Sequence, residues 1–186
     1  FASRAADAAR STIAQSGASC EPCTPDRVWQ MGVWSAATGD SVATRTFGLN
    51  LAARVPKGPP NVAMLARALD AKIALLRHDT ATALTSLRAV LEAPTPIAGG
   101  NVVWTESLAH GPERLAYARL LAARREFKRA IDVADVFDSP ASQSYVAYLP
   151  ASLALRASLA DSAVMPALAE QYRRRFDALK ARATTR

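Results

Sequence analysis

Apolar residues recur at steps of three and four through most of the chain, and turn-forming residues close each run. Thr24 followed by Pro25 supplies an N-cap and a proline in a first helical turn. A helix is predicted from there to about Thr38, stopping at Gly39. Asp40 caps the next, which ends near Val55 before the run Pro-Lys-Gly-Pro-Pro. Asn61 opens another, with Leu65, Leu69, Ile73 and Leu76 on one face. Asp79 caps a fourth, with Leu84, Leu87 and Leu91 facing inward.

The pattern breaks in residues 94–111, where glycines and prolines surround Ile97, Val102, Val103 and Trp104. It resumes with Leu115, Ala118, Leu121 and Ala122, then with a stripe of Phe127, Ala130, Ile131, Ala134 and Phe137. Lys128, Arg129, Asp132 and Asp135 lie off that stripe. A long helical segment from about Ser142 to Ala160 carries Tyr145, Leu149, Leu153 and Leu159, and Pro150 inside it predicts a kink. A last helix is predicted from Asp161 or Ser162, with Val164, Leu168, Tyr172, Phe176 and Leu179 on its stripe. The opening residues 1–17 read as one more helix, and only Asn101–Thr105 hints at a strand. Trp29, Trp34, Tyr145 and Tyr148 are expected in the core. Helices joined by so few residues pack antiparallel, so the expectation is an all-α array of about nine helices in successive hairpins.

Composition agrees. The apolar half of the chain is mainly Ala and Leu, with few aromatic or β-branched residues. A chain of 186 residues can bury one sizeable core. No run approaches the roughly 20 apolar residues of a membrane span. The formal charge of +7 implies an acidic partner surface. Much of the excess lies at the C-terminus, in Arg173, Arg174, Arg175, Lys180, Arg182 and Arg186. That cluster suits either a solvated helix end or contact with an anionic membrane.

Three stretches repeat a theme: residues 38–56, 77–94 and 124–140. Each has a turn with an acidic residue, then a small one (Ala43, Ala83, Ala130), and ends in Pro56, Pro94 or Pro140. Phe47, Leu87 and Ala134 follow four residues after the small position. Gly32, Ala71 and Ala118 fall near a second small position on the preceding helix. This resembles the tetratricopeptide (TPR) repeat, where small residues let paired helices cross closely. The copies are spaced more widely than the roughly 34 residues of that family. The resemblance implies a degenerate TPR-like α-solenoid: one domain over 1–186, with repeat-like hairpins over 25–140 and a capping helix pair over 141–186. Residues 127–159 also resemble the helical tails of some bacterial signalling kinases and transcriptional regulators, which implies a helical-repeat module without kinase chemistry.

Cys20 and Cys23 form a C-x-x-C pair before the first capped helix. Structural zinc needs four ligands, and His78 and His110 lie far along the chain, so no metal is expected. No strand–helix setting suggests a thioredoxin-type centre. A local disulfide or two inert thiols remain. No P-loop, G-x-G-x-x-G, G-x-S-x-G or H-E-x-x-H occurs, and His78 and His110 have no catalytic arrangement near them. The expectation is a non-enzyme with neither catalytic nor cofactor-binding residues. Acidic residues interleave with the helical arginines, so no direct nucleic-acid contact is expected.

The expected role is a scaffold that binds protein subunits of a larger complex. The candidate contacts are Ile97, Val102, Val103 and Trp104, with Arg173, Arg174 and Arg175 near lipid headgroups. The chain opens at Phe1 without an initiator Met, and the cysteine pair suits an oxidising compartment. Together these favour an extracytoplasmic, membrane-peripheral subunit, for example one holding a photosynthetic reaction centre to its antenna. The alternative is a cytoplasmic interaction or sensor domain of a larger signalling kinase or regulator.

Overall fold

The computed structural model describes residues 11, 23–92, 110–139 and 143–184. Among them are eight α-helices, two short 3₁₀ turns and no strand. The chain separates into two compact units, Phe1–Gly100 and Asn101–Arg186. None of the described helices is long and apolar enough to cross a membrane.

The first unit holds α1 (Pro25–Ala37), α2 (Ser41–Arg54), α3 (Asn61–Leu76) and α4 (Thr80–Leu91). Each packs on the next, and α1 also reaches α3. Three N-caps fall on the residues that the sequence marks. Thr24, Asp40 and Asp79 accept hydrogen bonds from the backbone N–H of Arg27, Ala43 and Thr82. Hydrogen bonds from the Thr82 side chain and then its backbone N–H hold the Asp79 carboxyl below its ordinary pKa. Val28, Trp29, Phe47, Leu51, Leu65 and Leu69 form the centre of the core. Gly32 sets the α1–α3 crossing, because a Cβ there would lie 2.5 Å from Leu69 Cδ1.

The second unit holds α5 (Gly111–Ala123), α6 (Phe127–Asp135), α7 (Leu149–Ser162) and α8 (Pro166–Thr184). The 3₁₀ turns Val136–Asp138 and Gln143–Ala147 link α6 to α7. Here too each helix packs on the next. Phe137 meets the Tyr145 ring edge-on at 5.3 Å and Tyr148 at 5.9 Å, and Leu115 joins this cluster.

One joint recurs four times. Each hairpin turns through a single left-handed residue: Gly39, His78, Arg125 or Val164. The next residue's N–H then reaches back to a helix carbonyl, from Asp40 to Ser35, Asp79 to Ala74, Glu126 to Leu121 and Met165 to Ala160. This is the Schellman closure of a helix C-terminus. Within each unit the two hairpin-turn residues are thirty-nine positions apart. Counted from them, small buried residues align at two places. Gly32, Ala71, Ala118 and Ala157 lie on the first helix of each hairpin, and Thr44, Ala83, Ala130 and Ala169 lie on the second. The members of every pair are twelve residues apart.

This register corrects several readings. Ala43 is only half-buried, and Thr44 fills the crossing position, since a hydroxyl hydrogen-bonded to the Asp40 carbonyl can be buried there. Pro150 makes no kink: it lies in the first turn of α7, where its missing N–H costs nothing. The last helix starts at Pro166, not at Asp161 or Ser162. Val164 is the turn residue and is 85% exposed. Trp34 is 41% exposed because its helical position turns it away from the Trp29–Gly32 stripe.

Candidate functional site

The helices of the first unit bury one face each, and α2 is the exception in composition. Its inner face carries Thr44, Phe47 and Leu51, all buried. Its outer face carries Val42, Arg45, Leu49 and Ala52, spaced at three, four and three residues. Val42 is 76% and Leu49 61% exposed. An exposed helix face is normally polar, yet this one sets Val42, Leu49 and Ala52 around Arg45, and no described residue covers it.

Beside that stripe α3 presents Asp70, Ile73 and Arg77, which share a face at steps of three and four. The two helices meet at position 48, where there is room for a Cβ in ordinary contact. A Cβ built there would sit 3.6 Å from Leu69 Cβ, 3.9 Å from Ile73 Cδ1 and 4.0 Å from Asp70 Oδ1. The result is a groove of about 270 Å³ whose floor is Gly48, Leu49, Ala52 and Ile73. The helices are consecutive and antiparallel, and Gly48 lies against Leu69 and Ile73. Arg45 and Arg77 therefore share one end of the groove. Among the described residues neither guanidinium has a hydrogen bond or ion pair, and nor has Asp70. Partial burial in the groove raises the Asp70 carboxyl above its ordinary pKa.

The second unit concentrates its polar groups elsewhere. Arg156 is fully buried and donates two hydrogen bonds of 2.9 Å to the two oxygens of Asp138. It also pairs with Asp135, and its guanidinium lies 4.7 Å from the Tyr172 ring centroid. Arg175 clamps the same Asp138 through two bonds of 2.7 Å. Hydrogen bonds from Arg156, opposed by burial and aided by Arg175, hold the Asp138 carboxyl far below the carboxylate range. The network ties α6, its 3₁₀ extension, α7 and α8 together. A smaller cavity of about 190 Å³ lies between α7 and α8, lined by Leu149, Leu153, Leu179 and Arg175.

His110 precedes α5 in a left-handed conformation and is 3% exposed. Its Nδ1 lies 4.0 Å from Glu113 Oε2, and that carboxylate is fully buried in the first turn of α5. Burial lowers the His110 pKa, although Glu113 opposes the shift. Both groups are sealed from solvent, so a substrate could not reach them without opening the unit. Among the described residues no group of three or more His, Cys, Asp or Glu side chains is placed to hold a metal ion.

The sequence-selected residues fall as follows. Ile97, Val102, Val103 and Trp104 lie outside the described residues, as does Cys20. Cys23 carries its sulfur in a disulfide, and its carbonyl accepts a hydrogen bond from Arg54. Arg173 pairs with Asp161 at 2.7 Å and with Glu170, and Arg174 lies 3.9 Å from Glu170. The basic run of α8 is thus largely answered within the unit. The α2–α3 groove escaped the sequence reading. Its one available signal was that the outer stripe of α2 carries Val42, Leu49 and Ala52 beside Arg45. No family model, curated protein or solved structure matches the chain.

Proposed function

We propose that this chain is a non-catalytic scaffold that binds another protein through the α2–α3 groove, as a subunit of a larger assembly. The observation that carries the reading is the outer face of α2, where Val42 and Leu49 stand in water on a helix already buried on its other side. A contiguous exposed apolar patch rimmed by polar residues marks a protein-binding site, and here Leu49, Ala52 and Ile73 adjoin one another beside Arg45, Asp70 and Arg77. The TPR-like reading gains support from the four hairpins, each with small residues at both crossing positions. In such arrays stacked hairpins offer broad surfaces to partner chains. A ninth helix in the opening residues belongs to the same reading. A membrane-peripheral setting would draw on α8, but Arg173 and Arg175 would first have to leave Asp161, Glu170 and Asp138. The groove therefore carries the functional weight.

The test is fractionation of the native host, following the chain by mass spectrometry. Recovery at fixed stoichiometry with the same partner subunits supports the scaffold, and recovery with a detergent-solubilised complex adds the membrane-peripheral setting. Recovery inside a longer polypeptide with a kinase or DNA-binding domain favours the signalling alternative. Recovery of the chain alone, at its monomer mass, overturns the scaffold reading.

A further inference from the structure

We infer that the α2–α3 groove takes one amphipathic α-helix of a partner protein, with an acidic side chain seated against Arg45 and Arg77. The inference rests on the scaffold reading and names the partner's chemistry. The shape argues for a helix. Val42, Arg45, Leu49 and Ala52 follow the spacing of a helix-packing seam. They run beside a second row, Asp70, Ile73 and Arg77, so the two rows frame a channel into which a third helix can lay its ridge. The part of the α2 row that lines the groove, Arg45 to Ala52, covers seven helical steps, about 10 Å at 1.5 Å per residue, or roughly two turns of an occupying helix.

The charges argue for its chemistry. Several other arginines of this chain find carboxylates, among them Arg88 with Glu92, Arg124 and Arg129 with Glu126, and Arg156 and Arg175 with Asp138, whereas the exposed Arg67 and Arg119 stand in water without one among the described residues. Arg45 and Arg77 share one end of an apolar groove without such a partner among the described residues. A carboxylate on the incoming helix would answer both, in a setting where a bound helix excludes water and strengthens the contact. Leu49 and Ile73 would take apolar side chains one turn further along. Asp70 lies beside them and calls for a hydrogen-bond donor from the occupant. A basic helix would bring like charge to Arg45 and Arg77, which disfavours it.

The experiment places a photo-crosslinking benzoylphenylalanine at position 49 of the full chain, expressed in the native host. The crosslinked peptides are then sequenced. A second chain carries the crosslinker at Thr85, an exposed site on α4, as the control. The expected result is one segment of one protein, apolar at helical spacing and bearing Asp or Glu. Its yield should fall at least tenfold when Arg45→Glu and Arg77→Glu are combined, while circular dichroism and the melting temperature hold. Crosslinks to a second copy of this chain, to many unrelated proteins, to a basic segment or to nothing would each overturn the inference. Co-purification with and without Leu49→Lys separates the two readings. A complex that forms equally well with Leu49→Lys leaves the scaffold standing and removes the groove. Absence of any complex with the unaltered chain removes both.

Discussion

Replacing Arg156 with Met keeps an unbranched stem of about the reach of Cβ to Nε and removes the guanidinium with its charge. Arg156 is fully buried, whereas Asp138 and Asp135 keep 31% and 47% of their side-chain surface in water. The lost interactions are two bonds to Asp138, the pair with Asp135 and the contact with the Tyr172 ring. Breaking a fully buried ion pair costs roughly 3–5 kcal/mol. Here the stranded carboxylates can rehydrate, and Asp138 keeps Arg175, so the low end applies, about 3 kcal/mol. At about 2–4 °C per kcal/mol for a chain of this size, the melting temperature should drop by roughly 6–12 °C. Calorimetry on Arg156→Met, Asp138→Asn and the double variant should give a coupling above about 1 kcal/mol. The acid limb adds an independent check. A carboxyl with a depressed folded pKa stabilises the fold above its unfolded value near 3.8, and that stability is lost as pH falls below it. Loss of stability in acid should therefore be shallower in Arg156→Met than in the unaltered chain. A melting temperature within 2 °C of the parent, or additive single variants, would refute the network as a tie between α6, α7 and α8.

Three further outcomes follow from the packing. Gly32→Ala should destabilise by about 1–3 kcal/mol in urea melts, because its Cβ meets the buried Leu69 side chain, and a neutral result would mean α1 and α3 can separate freely. Val164→Gly should raise the melting temperature by about 2–4 °C, since it relieves roughly 1 kcal/mol of left-handed strain in a residue with few contacts to lose. A lower melting temperature would show that the exposed Val164 side chain is needed in the free protein. Burial depresses the His110 pKa, so the unfolded chain takes up its proton first as pH falls through about 6.5. Stability should accordingly fall between pH 7 and 5, His110→Gln should flatten that slope, and an unchanged slope in the variant would assign it to another group.

Where a turn or cap has its own chemistry, the sequence is sufficient. Thr24–Pro25, Gly39–Asp40 and Asp79 each mark a helix boundary within a residue or two, because a hydroxyl, a carboxylate or a missing Cβ does the work locally. The joint at Val164–Met165 has no such residue, and a β-branched side chain in a turn is the opposite of the usual signal. Only the Pro166 that follows it marks the start of α8. The one-residue slip between Ala43 and Thr44 has a similar origin. Both are small, and which one faces the neighbouring helix is decided by the angle of the joint, which the pattern of apolar residues does not encode. The groove was least legible of all. It depends on the packing of α2 beside α3 and on two arginines lying at one end, and residues 45 and 77 are far apart along the chain.

The fourfold joint bears on how this protein can change its length. Each closure relies on backbone geometry that glycine, histidine, arginine and valine all supply, so the turn places little demand on the genetic text at that point. Two crossings twelve residues apart, repeated at a thirty-nine-residue interval within each unit, make the helix pair the natural quantum of duplication or loss. A deletion of that size between equivalent turns would rejoin small residues to small residues and leave the helix ends capped. Any other length would set large side chains against one another at the crossings. Relatives of such a chain are expected to differ by whole hairpins while single substitutions erase the resemblance between them.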